Sequence, residues 1–562
     1  MKRAARILCL LLSVFLLVGC VSSGDNTETT APDTSGAALD ILPTETEPAA
    51  AVLTEQALDQ IRLLGESPDD NYRTWYEIFV YSFCDSDGDG IGDLQGVISK
   101  LDYLQELGVT GIWLMPIHPS QSYHKYDVAD YYDIDPDYGT IADFEELIAA
   151  CNARGIHVIM DLVVNHSGND NKWFLNAVDY LKSLPAGAEP SGEECKYFDY
   201  YFFSREGGSG YHAISGTQWY YEGQFSPNMP DLNLSNEAVQ SEIRDVMQFW
   251  IDKGVAGFRL DAAKEFYSGN IQANIEILSW IQQTATSLKE DVYLVAEVWE
   301  SFATITQYYK SGITSIFDYP FGNAGGKIIS VLRAAGNPNT VSTYAAALEQ
   351  ANTAYSEMNP NYIDAPFLSN HDVGRIAGFC GYNDSKTKLA GAMNLFMSGS
   401  AFIYYGEEIG MVGSGNDPSK RAPFVWNDAR DNGTTNLPPE CVLPEEYPFG
   451  SLEFQKYDDC SVYNYYRQAI AIRNAIPAIA RGDTTCETGL NVGCISAFRK
   501  TWENEQCIIL MNIDTADAQV DLTDYSDWSL AASLSTDGNP VTMNGTTLEM
   551  PAFGVAVLVP TN

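Results

Sequence analysis

Positive charge is scarce in this chain. Lys and Arg number 32 against 75 Asp and Glu, so the formal net charge is −43 and the pI lies near 4.2. That field repels polyanions and argues against nucleic acid or an anionic membrane surface as a partner; a neutral sugar polymer meets no such penalty. No two cysteines have zinc-type CxxC spacing, and no internal repeat is visible. Of eleven cysteines, Cys9 and Cys20 fall in the first twenty residues, and the nine that remain are an odd number. At least one thiol is therefore free or pairs with another chain. Cys441–Cys460 and Cys486–Cys494 are local candidates for bridges, but spacing does not fix a pairing. What is present is the material of a core. With 45% hydrophobic and 12% aromatic residues, the 562-residue chain falls among globular proteins, and its length suggests roughly two to four domains.

Residues 1–20 begin with Lys2, Arg3 and Arg6, continue with an apolar stretch over 7–18 and end in Gly19-Cys20. The stretch is too short to span a bilayer as a helix and reads as an export signal. Leu17-Val18-Gly19-Cys20 resembles a bacterial lipobox, in which Cys20 would be lipidated and become the new N-terminus; an ordinary signal peptide cut nearby is the alternative. Residues 21–71, dominated at first by Thr, Ser, Asp, Glu, Pro and Ala, have little to bury and are expected to form a disordered tether. The expected location is extracytoplasmic, on the outward face of a bacterial cell membrane, held by lipid alone. A monomer is expected.

Folded sequence is expected from residue 72. Residues 75–83 (WYEIFVYSF) are aromatic and β-prone, 98–107 have helical spacing, and 112–116 form the next apolar run. A helix over 144–154, closed by Gly155, leads to a buried strand over 156–164. The alternation returns with helices at 239–251 and 271–288, strands at 257–260 and 292–298, and short apolar runs at 315–317, 365–369 and 401–405. Eight strand candidates, mostly separated by helices, predict an α/β (β/α)8 TIM barrel over 72–166 and 237–476. The connection at 167–236 is too long for a simple loop and reads as an inserted domain after the third strand. Short strands with turn signals over 477–562 predict a C-terminal β-sandwich.

Four strand candidates end in residues capable of chemistry: Asp161-Leu162-Val163-Val164-Asn165-His166, Arg259-Leu260-Asp261, Glu297-Val298-Trp299 and Asn370-His371-Asp372. In a barrel these ends converge on one face. Taken alone, Arg259 and Asp261 could be a satisfied buried ion pair and Asp372 an N-cap; together they suggest one pocket. Carboxylates without a Ser–His or Cys–His pairing point to glycoside hydrolysis, which needs one ionised carboxylate and one neutral carboxylic acid. Arg259, on the same strand face as Asp261, would keep it ionised as the nucleophile, leaving Glu297 as acid/base. A retaining pair of this kind sits about 5–5.5 Å apart, an inverting pair roughly 6.5–9.5 Å.

Those four motifs resemble the main conserved regions of the α-amylase superfamily, glycoside hydrolase family 13, over most of residues 73–562. The resemblance implies Asp261 as nucleophile, Glu297 as acid/base and Asp372 as the transition-state stabiliser. It also implies a −1 subsite lined by Arg259, His166, His371 and a stacking Tyr126, the tyrosine of His124-Lys125-Tyr126-Asp127. The insertion corresponds to the family's domain B. Met229-Pro230-Asp231-Leu232-Asn233 resembles the form found in amylases intermediate between oligo-1,6-glucosidases and neopullulanases. Lys264 stands where α-amylases place a +1/+2 contact, but the family's following His is Glu265 here, a departure that bears on aglycone contacts.

Residues 85–93 (DSDGDGIGD) put oxygen donors at alternate positions with glycines between, a composition suited to Ca²⁺. The loop is no EF-hand, because its twelfth position is Gly96. By family likeness the ligands would be Asp85, Asp87, Asp89, the carbonyl of Ile91 and Asp93. A second Ca²⁺, held through Asn165 and Asp231, is implied by likeness alone. The expected activity is that of an endo-acting α-amylase on starch, glycogen and maltooligosaccharides. A neopullulanase, an oligo-α-glucosidase or transglycosylase, and a catalytically silent glucan-binding lipoprotein are the alternatives.

Overall fold

The computed structural model describes residues 69–561 except 186, 432, 445 and 446. The export signal, Cys20 and the tether up to residue 68 lie outside the described residues. Seven short strands form one parallel sheet: β1 (Thr74–Ile78), β2 (Gly111–Leu114), β3 (His157–Leu162), β4 (Gly257–Leu260), β5 (Tyr293–Ala296), β6 (Ser315–Ile316) and β7 (Ala401–Tyr404). Their order is β7-β1-β2-β3-β4-β5-β6. The gap between β6 and β7 is filled by residues 365–367 through two isolated parallel bridges, Phe317 with Ala365 and Phe367 with Phe402. The seventh strand expected from sequence, at 365–369, thus closes the barrel, with too few ladder bonds to count as a regular strand. Nearly every residue of these strands is buried, as parallel strands covered on both faces require. Inside, Trp75 stacks on Tyr293 at 5.2 Å between ring centres, and it fits because Gly111 opposite has no side chain; a Cβ there would lie 2.2 Å from the indole.

Local signals set most boundaries. The helix Ile271–Leu288 spans its expected residues, and Glu237–Asp252 starts earlier than its apolar face because Asn236 caps it. Ile141–Asn152 likewise starts earlier, at the capping box of Thr140 and Asp143. The aromatic run at 75–83 is not one strand. It is β1 followed by a helical turn, Val80–Phe83. The folded body also starts slightly before residue 72: Asp70 accepts two 2.8 Å bonds from Arg481, within the span expected to be tether.

Between β3 and β4 the insertion carries a helix, Lys172–Ser183, and a small antiparallel sheet of Phe203–Ser204, Tyr220–Glu222 and Tyr211–Ala213. The C-terminal part packs a five-stranded antiparallel sheet against a three-stranded one. In its strand Glu505–Asn512, Ile508 and Leu510 face the sandwich interior, while Cys507, Ile509 and Met511 join the barrel's core. All nine cysteines among the described residues are free. No helix among them is long and apolar enough to cross a membrane.

Candidate active site

Strand alternation sets the centre of the site. Arg259 and Asp261 lie on one face of β4 and its extension, and Arg259 is in register with Asp161 on β3. The buried guanidinium binds three carboxylates: Nη1 donates to Asp161 Oδ1 at 2.7 Å and to Asp261 Oδ1 at 2.6 Å, and Nη2 donates to Glu297 Oε2 at 2.6 Å. The Trp113 ring lies 5.2 Å from it, and Trp113 Nε1 donates to Asp161 Oδ2 at 3.2 Å. Burial pushes Asp161 up to about 7 against the opposing pull of Arg259. Burial also raises Glu297 above the ordinary carboxylate range; Arg259 opposes this and the nearby Asp261 charge adds to it. A second donor reaches Glu297 Oε2 from the Ala262 backbone at 3.0 Å, with Ala262 held in the left-handed region at φ 45°. Such a conformation is uncommon for a residue with a Cβ and occurs at functional sites.

The second half of the site is built on His371. Its Nδ1 lies 2.6 Å from Glu77 Oε1; its Nε2 lies 3.0 Å from Asp372 Oδ2 and 2.6 Å from the Tyr126 hydroxyl. With carboxylates at both nitrogens the ring is a cation. Burial works against that charge, but Asp372 and Glu77 raise His371 to about 9. Burial alone would raise Asp372; His371 and Arg421 instead hold it far below the carboxylate range. Arg421 Nη2 donates to Asp372 Oδ1 at 2.8 Å, and Lys420 Nζ donates to the Asp372 carbonyl at 2.7 Å.

These groups line or underlie one cleft of about 690 Å³, where Tyr126, His166, Asp261, Glu297 and Asp372 meet. Tyr126 is stacked on His371 at 5.4 Å and keeps 8% of its surface in the cleft. His166 has no partner for Nε2 among the described residues, and burial lowers its pKa, so it presents a neutral nitrogen to a bound hydroxyl. Arg259 and His371 lie beneath the floor. Lys264 is not on the wall: it sits between Glu265 (3.7 Å) and Glu300 (3.4 Å).

The structure adds Arg421, Tyr123 and Phe225 to the walls and Glu77 below them. Glu77 had a readable signal, a lone acid in an aromatic strand. Arg421 had none, because its place depends on a chain return 49 residues beyond Asp372.

In the acidic loop, carboxylate oxygens of Asp85, Asp87 and Asp89 all lie within 4.8 Å of one another, around turns at Gly88 (φ +88°) and Gly90 (φ +93°). This hard-oxygen set fits Ca²⁺. Ile91 joins the loop through its N–H, which donates to Asp89 Oδ1 at 2.7 Å. Asp93 is engaged elsewhere: it accepts from Ser86 N, Ser86 Oγ and Gly96 N, capping the helix Leu94–Ser99. Asn165 and Asp231 are brought together by the bridge of His166 with Asp231 and by the 2.9 Å bond from Leu232 N to the Asn165 carbonyl. Asp231 Oδ1 is buried without a partner among the described residues, and burial raises this carboxyl to about 7, an environment that a cation would relieve.

Residues 77–482 match the family described as alpha amylase, catalytic domain. The chain is 39% identical to alpha-amylase 3 of Dictyoglomus thermophilum over 450 residues, covering 78% of this chain and 84% of that protein. It is 28% identical over 515 residues to the oligo-1,6-glucosidase of Parageobacillus thermoglucosidasius, covering 78% and 89%. Among solved structures, Eubacterium rectale Amy13B superimposes with a TM-score of 0.86 at 43% identity, covering 91% of this chain and 99% of that one. The barrel, its inserted domain and the match across most of its length show that the chain belongs to the alpha-amylase family of glycoside hydrolases.

Proposed function

We propose that this glycosidase is an endo-acting α-amylase that cleaves α-1,4-glucosidic bonds of starch, glycogen and maltooligosaccharides with retention of configuration. The observation that carries the reading is Arg259, whose two terminal nitrogens hold Asp261 and Glu297 side by side. The roles divide by oxygen. Asp261 Oδ1 is bound to Arg259, so Oδ2 is the oxygen that attacks the anomeric carbon. Glu297 Oε2 already accepts from Arg259 and Ala262, so the transferable proton belongs on Oε1, which faces the Tyr319 hydroxyl at 3.4 Å. Protonation of the glycosidic oxygen releases the aglycone and leaves a glycosyl ester on Asp261; Glu297, now a base, activates the water that hydrolyses it. Asp372, kept ionised by His371 and Arg421, grips sugar hydroxyls as positive charge develops at the anomeric carbon.

The α-amylase specificity is supported by the relative from D. thermophilum and by a cleft whose walls come from both the insertion (Phe225, Met229) and the 416–421 loop. An oligo-glucosidase reading has one observation in its favour: Tyr123, Arg421 and Asp417 cluster at one side of the cleft, where they could hold a chain end. Products from amylose, pullulan and maltotriose followed over time separate the two. The endo reading expects mixed maltooligosaccharides from amylose at early times; glucose as the sole early product would overturn it. No reducing-sugar release from any α-glucan would favour a silent binder.

Ca²⁺ at Asp85, Asp87 and Asp89, and a second at Asn165 and Asp231, would brace loops and take no part in bond cleavage. The leader supports an exported lipoprotein anchored through Cys20; Cys20→Ala should then move the protein from the membrane fraction to the soluble one.

A further inference from the structure

A second pocket lies where the loop before the helix Asp384–Leu395 meets the 448–462 segment and the 536–537 turn of the C-terminal sandwich. Its volume is about 520 Å³, within the range of small-ligand sites, and it shares no lining residue with the catalytic cleft. We propose that this pocket is an auxiliary binding site for an α-glucan chain, with Tyr382 as the stacking platform; the identity of the sugar rests on the glycosidase reading above.

The aromatic wall is built at a cost. Tyr382 is 60% exposed and sits at φ +59°, directly after Gly381 at φ +67°. A bulky side chain in that region is a conformational outlier, and exposing a large aromatic ring adds to the expense. The backbone enforces the pose, because the Tyr382 N–H donates to the Ala377 carbonyl at 2.9 Å and Gly381 N to the Gly378 carbonyl at 3.0 Å. Phe449 forms part of the lining too, its ring packed so closely on Gly410 that a Cβ there would lie 2.4 Å away.

The polar lining decides the ligand's chemistry. Asp384, Asp458 and Asp537 contribute carboxylates, while Lys388 is spent on Asp384 and on the Thr536 carbonyl at 2.9 Å. An anionic ligand therefore finds no free cation among the described lining residues, and an apolar peptide would strand the carboxylates. Nor do these acids converge on a cation site: the only such cluster among the described residues is Asp85, Asp87 and Asp89. Thr536, 2% exposed, lines the pocket, and its buried Oγ1 has no partner among the described residues. Each carboxylate already accepts a bond within the protein, Asp384 from Lys388, Asp458 from Cys460 N and Asp537 from Asn539 N, and keeps lone pairs for more. An apolar ring face beside such acceptors matches a pyranose, which offers a C–H face to an aromatic ring and hydroxyl donors around its rim.

The test titrates maltoheptaose into the full-length Asp261→Asn protein by calorimetry. Two classes of site are expected. Tyr382→Ala in the same background should weaken one class by about tenfold or more and leave the other unchanged. Thr536→Val, which keeps side-chain shape, should weaken the same class by less. In the active enzyme, Tyr382→Ala should leave maltotriose turnover unchanged and reduce retention in an amylose gel. A single class of site, insensitive to Tyr382→Ala in a protein that still hydrolyses starch, would overturn the auxiliary site and leave the glycosidase standing. Loss of starch hydrolysis in the wild type with a Tyr382-dependent maltoheptaose site intact would do the reverse.

Discussion

Glu77 Oε1 and His371 Nδ1, 294 residues apart in sequence, meet at 2.6 Å beneath the catalytic cleft. The contact fixes which histidine state the site uses. The Nδ1–H donates to Glu77, and the ionised Asp372 carboxylate 3.0 Å from Nε2 accepts a second N–H there, so both nitrogens carry a proton. Glu77→Gln removes one of the two charges that raise His371 to about 9. The alkaline limb of the pH–kcat profile should then move toward lower pH, with KM changed less. The cation's contribution to stability is complete below the ordinary histidine value of about 6.5 and is lost as pH rises through about 9. The gap in unfolding free energy between wild type and Glu77→Gln should therefore narrow as the medium becomes alkaline. An unshifted profile would reduce Glu77 to packing.

Arg259 is the group on which three buried carboxylates depend. Arg259→Met leaves those charges unpaired and should cost about 3–5 kcal/mol in urea unfolding. Arg259→Lys keeps the charge but not the planar fork that reaches Asp261 and Glu297 with separate nitrogens, so activity should fall well before stability does.

The division of labour between Asp261 and Glu297 can be read kinetically. Glu297→Gln should lower kcat on starch by about 10²–10⁴-fold. It should cost far less on an aryl glycoside, whose leaving group needs no proton. Asp261→Asn should suppress both substrates alike, because the missing atom is the nucleophile. Equal losses for the two variants on the aryl substrate would reverse or dissolve the assignment.

How much of this was legible follows from what is local. The helix Ile271–Leu288 and the strands around Asp161, Asp261 and Glu297 are written in periodicity, caps and strand-end charge. The barrel's closure at residues 365–367 was legible as an apolar run, but its thin pairing was not, since bridge number depends on neighbouring strands. The same limit hid Arg421, which reaches Asp372 only after β7 has returned to the barrel. Lys264 is expected from its motif position to touch substrate, and its side chain, 32% exposed, lies with Glu265 and Glu300.

The acidic loop offers a test in which two kinds of aspartate part company. Asp85, Asp87 and Asp89 gather carboxylates that repel one another without a cation, so the proposed Ca²⁺ would stabilise the fold by mass action and chelation should lower Tm. Asp87→Ala should lower Tm in calcium and make it indifferent to chelator. Asp93→Ala should behave differently. Its carboxylate caps the helix Leu94–Ser99 and holds Ser86, so its loss should cost about 0.5–2 kcal/mol whether or not calcium is present, with the chelator response retained. If Asp93→Ala abolished the chelator response as Asp87→Ala does, Asp93 would belong among the ligands and its cap would be secondary. A Tm unmoved by chelator in the wild type would leave the trio a solvated turn.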